Sequence, residues 1–244
     1  MSGQPKKTAG HVGDQIKAQN ARWTFSGSVA ESFDQHVEKS VPLYHEGHTL
    51  TTHLSDFFLE KKSTCYELGC STGELTRQLA EHNDGKDIRF VGYDVEELMI
   101  KKAQEKCQNF KNVTFMQADI MDIEFEPCDL VVAYLTIQFV RPKNRQVLID
   151  RIYNALNWGG AFIMVEKVRG PDARFQDISS QLYNEYKISQ GYDAEEILSK
   201  SRSLKGVMEP FSTQGNVDLL NRSGFKDITT FFKYICFEGF LAIK

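Results

Sequence analysis

Residues 67–73 read Glu67-Leu68-Gly69-Cys70-Ser71-Thr72-Gly73, and the position of this stretch says more than its spelling. Upstream, residues 63–68 form a short apolar run of strand character; downstream, Leu75, Leu79 and Ala80 recur at helical spacing. The stretch is therefore the bend of a strand–turn–helix unit. Glycine lets a backbone approach a ligand and take up conformations that other residues resist, and the helix behind it directs unpaired N–H groups at whatever lies there. Taken alone, a Gly-x-x-x-Gly bend serves a purely structural turn equally well.

The alternation continues outward. Residues 88–93 read as strand, 96–107 as helix, 113–117 and 130–133 as strands, 144–156 as a helix stopped by Gly159 and Gly160, and 161–165 as a fifth strand. Strands alternating with helices predict a parallel sheet with right-handed crossovers. Two further β-rich runs, 228–237 and 240–243, lie close enough to form an antiparallel hairpin. The predicted fold is α/β and Rossmann-like, a seven-stranded, mostly parallel sheet with an antiparallel C-terminal hairpin. Residues 30–59 carry helical periodicity interrupted by Pro42, and residues 171–210, polar and helical, read as a cap over the sheet. Residues 1–20 are predicted to be a flexible N-terminal tail, and residues 21–244 a single domain with N-terminal helices over 21–60 and the helical cap over 171–210.

Composition narrows the class. Of 244 residues, 41% are hydrophobic and 25% charged, which is the balance of an ordinary globular chain. A net charge of -4 argues against a surface built to coat phosphate backbones, so nucleic acid is not expected as a direct partner. Five cysteines without a CxxC pair fit reduced thiols and a cytoplasmic setting. No run approaches the roughly 20 apolar residues of a membrane span.

Asp94 ends the second strand, 25 residues beyond Gly69, where a carboxylate can accept hydrogen bonds from both hydroxyls of a ribose. Nucleotide ligands of open α/β sheets sit outside the carboxyl ends of the strands, and Gly69, Asp94, Asp119 and Tyr134 all fall at such ends. Asp119 alone serves equally well as a helix cap. The bend lacks the three-glycine spacing that accommodates a pyrophosphate and the lysine of a phosphate-binding loop. A nucleoside with an amino-acid end and a sulfonium, S-adenosylmethionine, needs less room, and aromatic rings near the positive sulfur would help hold it; Trp23, Phe25, Tyr44 and Tyr134 are candidates.

Several segments together carry a family resemblance: Trp23-Thr24-Phe25, Val29-Ala30-Glu31, Ser40-Val41-Pro42-Leu43-Tyr44, Tyr66-Glu67-Leu68-Gly69-Cys70-Ser71, Thr136-Ile137-Gln138-Phe139, Glu166-Lys167 and Gly191-Tyr192. From about residue 22 onward the chain resembles the carboxy-S-adenosylmethionine synthases (CmoA). The resemblance implies the class I methyltransferase fold, a homodimer, and a role in wobble-uridine modification of tRNA, by conversion of S-adenosylmethionine with prephenate to the carboxylated cofactor. It further implies cofactor contacts at Tyr44, Gly69, Cys70, Ser71, Asp94, Val95, Asp119, Ile120 and Tyr134. The chain departs from the family pattern at Tyr134 and Val95, where the family has asparagines, and at Ser201, where it has the arginine that holds the added carboxylate. Arg202 lies next door and is the expected substrate-binding residue, although one position on a helix turns a side chain by about 100°.

These departures fall on the residues that would tell a carboxylated cofactor from the ordinary one. The leading expectation is therefore an S-adenosylmethionine-dependent methyltransferase acting on a small acceptor, with no obvious catalytic motif, since methyl transfer demands mainly in-line positioning. Synthesis of carboxy-S-adenosylmethionine is the second reading. A non-catalytic binding module is the third, and the cap counts against it. His45, His48 and His53 lack the partners that would complete a zinc set. Cys65 and Cys70 read as small buried residues, and Lys101, Lys102, Lys106 and Lys111 as a solvated helix face.

Overall fold

The structure, a computed structural model, describes residues 10–13, 16–25 and 28–244. In chain order it contains β1 (Gly10–His11), β2 (Lys17–Ala18), α1 (Ser28–Ser40), α2 (Tyr44–Leu54), β3 (Thr64–Leu68), α3 (Glu74–His82), β4 (Arg89–Asp94), α4 (Glu97–Lys106), β5 (Val113–Gln117), β6 (Cys128–Tyr134), α5 (Pro142–Ala155), β7 (Leu156–Lys167), α6 (Ala173–Ser189), α7 (Ala194–Ser203), α8 (Thr213–Ser223), β8 (Asp227–Tyr234) and β9 (Phe237–Ile243). The main sheet has seven strands in the order β5-β4-β3-β6-β7-β9-β8. Every neighbouring pair from β5 to β7 is parallel, and β9 runs antiparallel to both β7 and β8. The predicted α/β sheet with its C-terminal hairpin is what forms.

Central strands of a parallel sheet are covered on both faces, so they read as nearly continuous apolar runs. β6 and β7 do so, and their successive side chains feed two opposite cores. Tyr66, Val131 and Phe162 pack with Leu148, Ile149, Ile152, Leu219 and Leu220 of α5 and α8. Cys65, Leu130, Val132 and Ile163 pack with Leu75 and Leu79 of α3. The strand order reverses between β3 and β6, from which the chain winds outward in opposite directions, and a crevice opens there at their carboxyl ends.

Two expectations are corrected. Of the predicted tail, residues 1–9, 14 and 15 lie outside the described residues, but 10–13 and 16–20 are built into the molecule. β1 pairs with β2, Val12 N–H donates to the Ile16 carbonyl at 3.0 Å, and Val12 and Ile16 are buried with Trp23 and Val29 against Leu204 and Val207. Two apolar residues in a polar stretch carry no periodicity; what makes them useful is a surface supplied by the chain beyond α7. Gly159 and Gly160 do not separate helix from strand either. β7 begins at Leu156 and runs through both, with Gly159 in the left-handed region at φ 81°.

Candidate functional site

The bend between β3 and α3 is welded to β4. The Gly69 and Cys70 N–H groups both donate to the Tyr93 carbonyl, at 2.8 and 2.9 Å. Gly69 sits at φ 72°, and a Cβ there would drive into the side chain of Thr136, whose hydroxyl donates to the Leu68 carbonyl at 2.8 Å. Gly73, at φ 75°, caps α3 where a Cβ would meet Ala103 and Phe115. Glycine is required at both places for conformation and for space.

Asp94 closes the bend from below. Its Oδ2 accepts the Ser71 N–H and its Oδ1 the Glu96 N–H, each at 2.9 Å. Burial raises the Asp94 carboxyl above the usual range, and these backbone bonds oppose the shift. Each oxygen keeps a lone pair for a further donor. Glu67, near the end of β3, is buried deeper; it accepts the Thr76 hydroxyl, and burial pushes its carboxyl up to about 8.

A cleft of about 1320 Å³ opens over these strand ends. Tyr44, Gly69, Cys70, Ser71, Asp94, Val95, Asp119, Ile120 and Tyr134 all line it, so tertiary structure brings these nine sequence-predicted residues together. Val95 is exposed, while Ile120 and Tyr134 are buried. Asp119 is exposed and its Oδ1 accepts the Met121 N–H at 2.9 Å, the local capping role equally open to it in sequence. Arg202 is not brought in. It is exposed and outside the cleft wall, whereas its neighbours Lys200 and Ser201 line it; the one-residue offset on α7 holds, with no local shift of backbone to undo it.

Aromatic rings form one wall. Tyr44 and Tyr134 meet edge to face at 5.8 Å, with the buried His48 ring 4.2 Å from the first and 4.6 Å from the second. Burial drives His48 down to about 3 and raises both tyrosines, so at neutral pH the imidazole is neutral and the phenols keep their protons. Trp23 lines the cleft but its ring face is taken by the Lys200 ammonium, 2.7 Å from the centroid. Of the rings named for a sulfonium, Tyr44, Tyr134 and Phe25 remain.

Residues without an assigned role in the sequence also converge here. Lys106 leaves the solvated face predicted for it: its ammonium reaches Asp34 of α1 at 3.0 Å, Glu74 of α3 at 3.2 Å and the Thr72 hydroxyl at 3.2 Å. Buried Glu166 accepts the Ile137 and Gln138 N–H groups, at 2.9 and 2.7 Å, and burial pushes it up to about 8. Arg145, 1% exposed, donates to the carbonyls of Val140, Gln138 and Glu209, tying the loop after β6 to the end of the cap. Local periodicity holds no signal for such contacts; the Glu166-Lys167 pair stood out only through the family resemblance.

The fold and the cleft define a class: an S-adenosylmethionine-dependent transferase of class I methyltransferase architecture. Residues 66–160 match a family model described as a methyltransferase domain. Similar folds include human N-acetylserotonin methyltransferase in complex with S-adenosylmethionine, at a TM-score of 0.61 and 18% identity, over 90% of this chain and 56% of that one. Phosphoethanolamine N-methyltransferase 2 of Haemonchus contortus aligns at a TM-score of 0.64 and 17% identity, over 90% of this chain and 57% of that one. The chain spans little more than half of those two larger proteins, which show the fold alone. Curated relatives named carboxy-S-adenosyl-L-methionine synthase match far more closely. That of Staphylococcus epidermidis is 35% identical over 91% of this chain and 97% of the relative. Those of Campylobacter jejuni subsp. doylei and Helicobacter pylori are each 36% identical, over 95% and 93% of this chain and 99% and 97% of the relatives. The chain belongs to the carboxy-S-adenosyl-L-methionine synthase family.

Proposed function

We propose that the cleft binds S-adenosylmethionine and that the chain transfers a methyl group from it to a small acceptor seated over β6 and β7. The observation that carries this reading is the join between Asp94 and the Ser71 N–H, which sets a carboxylate with free lone pairs beside a bend with no side chain at Gly69. Asp94 accepts both ribose hydroxyls, the backbone of residues 69–71 approaches the amino-acid end, and Tyr44 and Tyr134 face the sulfonium. When bound, the cofactor supplies an electrophilic methyl group. With His48 down near 3 and both phenols held protonated, none of these three is suited to take a proton at neutral pH, so the protein contributes positioning and exclusion of water.

Calorimetry tests the berth. Asp94→Ala is expected to weaken S-adenosylmethionine by roughly 10- to 100-fold, as for loss of hydrogen bonds to a charged group; equal affinity in variant and parent overturns the reading. The second reading, synthesis of the carboxylated cofactor, is favoured by the name of the relatives above. Mass spectrometry of nucleoside that co-purifies with the chain, and incubation with S-adenosylmethionine and prephenate, separate the two: a carboxylated product replaces the first reading with the second.

We also read the chain as a cytoplasmic homodimer. All five cysteines are free, and no described helix is long and apolar enough to cross a membrane. No residue of α6 is buried, and Phe175, Ile178 and Leu182 are exposed along it, an apolar stripe suited to a second copy. Sedimentation velocity is expected to show a dimer that Leu182→Glu dissociates.

A further inference from the structure

One wall of the cleft is held only loosely to the rest of the molecule. Of the residues of α7 only Ser203 is buried, yet Ile197, Lys200 and Ser201 line the cleft. What α7 does carry is the strap formed by residues 10–13 and 16–23. The Ala21 N–H donates to the Arg202 carbonyl at 2.9 Å and the Trp23 N–H to the Ser203 carbonyl at 3.1 Å. Val12 and Ile16 pack on Leu204 and Val207, and Gly13 lies so close under the Tyr192 ring that a Cβ there would collide with it. Strap and α7 are therefore one body, joined by backbone bonds and a small apolar cluster of their own.

That body hangs between two anchored ends. Before it, the Tyr183 hydroxyl fixes α6 to the Ser40 carbonyl at 2.8 Å. After it, the Glu209 N–H donates to the Gln138 carbonyl at 3.0 Å, and the Glu209 carbonyl accepts from Arg145 at 2.7 Å. Between anchor and body stand Gly191 at φ 91° and Gly206 at φ 66°, and at each a Cβ would meet nothing within 4 Å. Packing does not dictate glycine there; backbone freedom at a hinge does. A single side chain of α1, His36, latches the body down. The Lys200 ammonium donates to its Nε2 at 3.2 Å, so Nδ1 carries the proton and meets the Tyr192 hydroxyl at 3.3 Å, while the Trp23 ring stacks on the imidazole at 5.9 Å. The same helix reaches the glycine bend two residues earlier, where Asp34 accepts the Thr72 hydroxyl at 2.6 Å. Latch and cofactor berth thus share α1.

We propose that the strap and α7 form one hinged lid, which swings on Gly191 and Gly206, closes over the bound nucleoside and governs its release. The role of the nucleoside rests on the reading of the cleft as a cofactor site. At about 1320 Å³ the cleft exceeds the roughly 300–1,000 Å³ usual for a pocket that encloses a small ligand, so the lid has room to travel inward. A ligand that orders the bend steadies α1, and through His36 it favours the closed lid.

Hydrogen exchange of the full chain tests this. In the parent alone, the strap and α7 are expected to lose protection along a single denaturant isotherm, as one cooperative unit, with β6 and β7 on a more stable one. Saturating S-adenosylhomocysteine is expected to slow exchange in both lid segments together by at least fivefold. Gly13→Ala, outside the cleft wall, is expected to speed exchange in strap and α7 alike, leave β6 and β7 unchanged, and release S-adenosylhomocysteine at least fivefold faster in stopped flow. Separate isotherms for strap and α7 overturn the proposal, as does bound S-adenosylhomocysteine that leaves the exchange of α7 unaltered, or a Gly13→Ala effect confined to the strap. The isotherms need neither ligand nor substitution, so they decide the matter even where the variant does not fold. A shared isotherm in a chain that does not bind S-adenosylhomocysteine upholds the hinged lid and overturns the cofactor reading instead.

Discussion

Gly69 occupies a tight point of the site, between the end of β3 and the Thr136 side chain, which reaches over from the loop after β6. Alanine there meets two penalties. The left-handed backbone costs a non-glycine residue about 1–2 kcal/mol, and the added methyl collides with Thr136, a form of overpacking worth about 1–3 kcal/mol. Gly69→Ala is therefore expected to lower the melting temperature by roughly 5–15 °C, measured by calorimetric or circular-dichroism melting. Adding Thr136→Ala is expected to return part of the loss, because it relieves the collision and leaves the backbone strain. A stretch that reads as a plain Gly-x-x-x-Gly in sequence becomes a required glycine only when the loop after β6 is in place.

At the scale of elements, the cleft is assembled by ties between segments remote in sequence. Lys106 joins α4 to α1 through Asp34 and to α3 through Glu74, at side-chain exposures of 24%, 47% and 26%. Such half-exposed pairs are screened and each contributes no more than about 1 kcal/mol. Their importance lies in position: Thr72 of the bend bonds Asp34 as well, at 2.6 Å, so loss of the lysine loosens α1 over the cofactor berth. Lys106→Met is expected to reduce S-adenosylmethionine affinity a few-fold, with the gap to the parent narrowing at high salt as screening weakens the pairs in the parent. Calorimetry at low and high ionic strength checks this; no change at low salt sinks it. Helical periodicity located α4 to within a residue or two, yet it assigned Lys106 to solvent, because a pattern along one helix cannot register an acid carried by another.

For the whole molecule, Glu67 and Glu166 are buried carboxyls pushed up to about 8, both by burial first. In the unfolded chain they titrate near 4.5, so between about 4.5 and 8 the folded state holds protons that the unfolded state has released. Their contribution to stability is most favourable below about 4.5 and falls as pH rises towards 8. Glu67→Gln keeps the shape without the charge, and its melting temperature is expected to fall less than the parent's across that range. Parallel curves would show that Glu67 is ionised in the folded state throughout. The order of strands and helices, the parallel sheet with its closing hairpin, the bend at 67–73 and the line of residues at the strand ends were all determined by the sequence alone, because apolar periodicity and glycine placement are local properties. Tertiary structure alone decided that residues 10–13 and 16–20 fold back onto α7, that Arg202 stays outside the cleft, and that Lys106, Lys167 and Lys187 turn inward. Those outcomes depend on distances between segments far apart in the chain, and on which charges burial leaves facing one another.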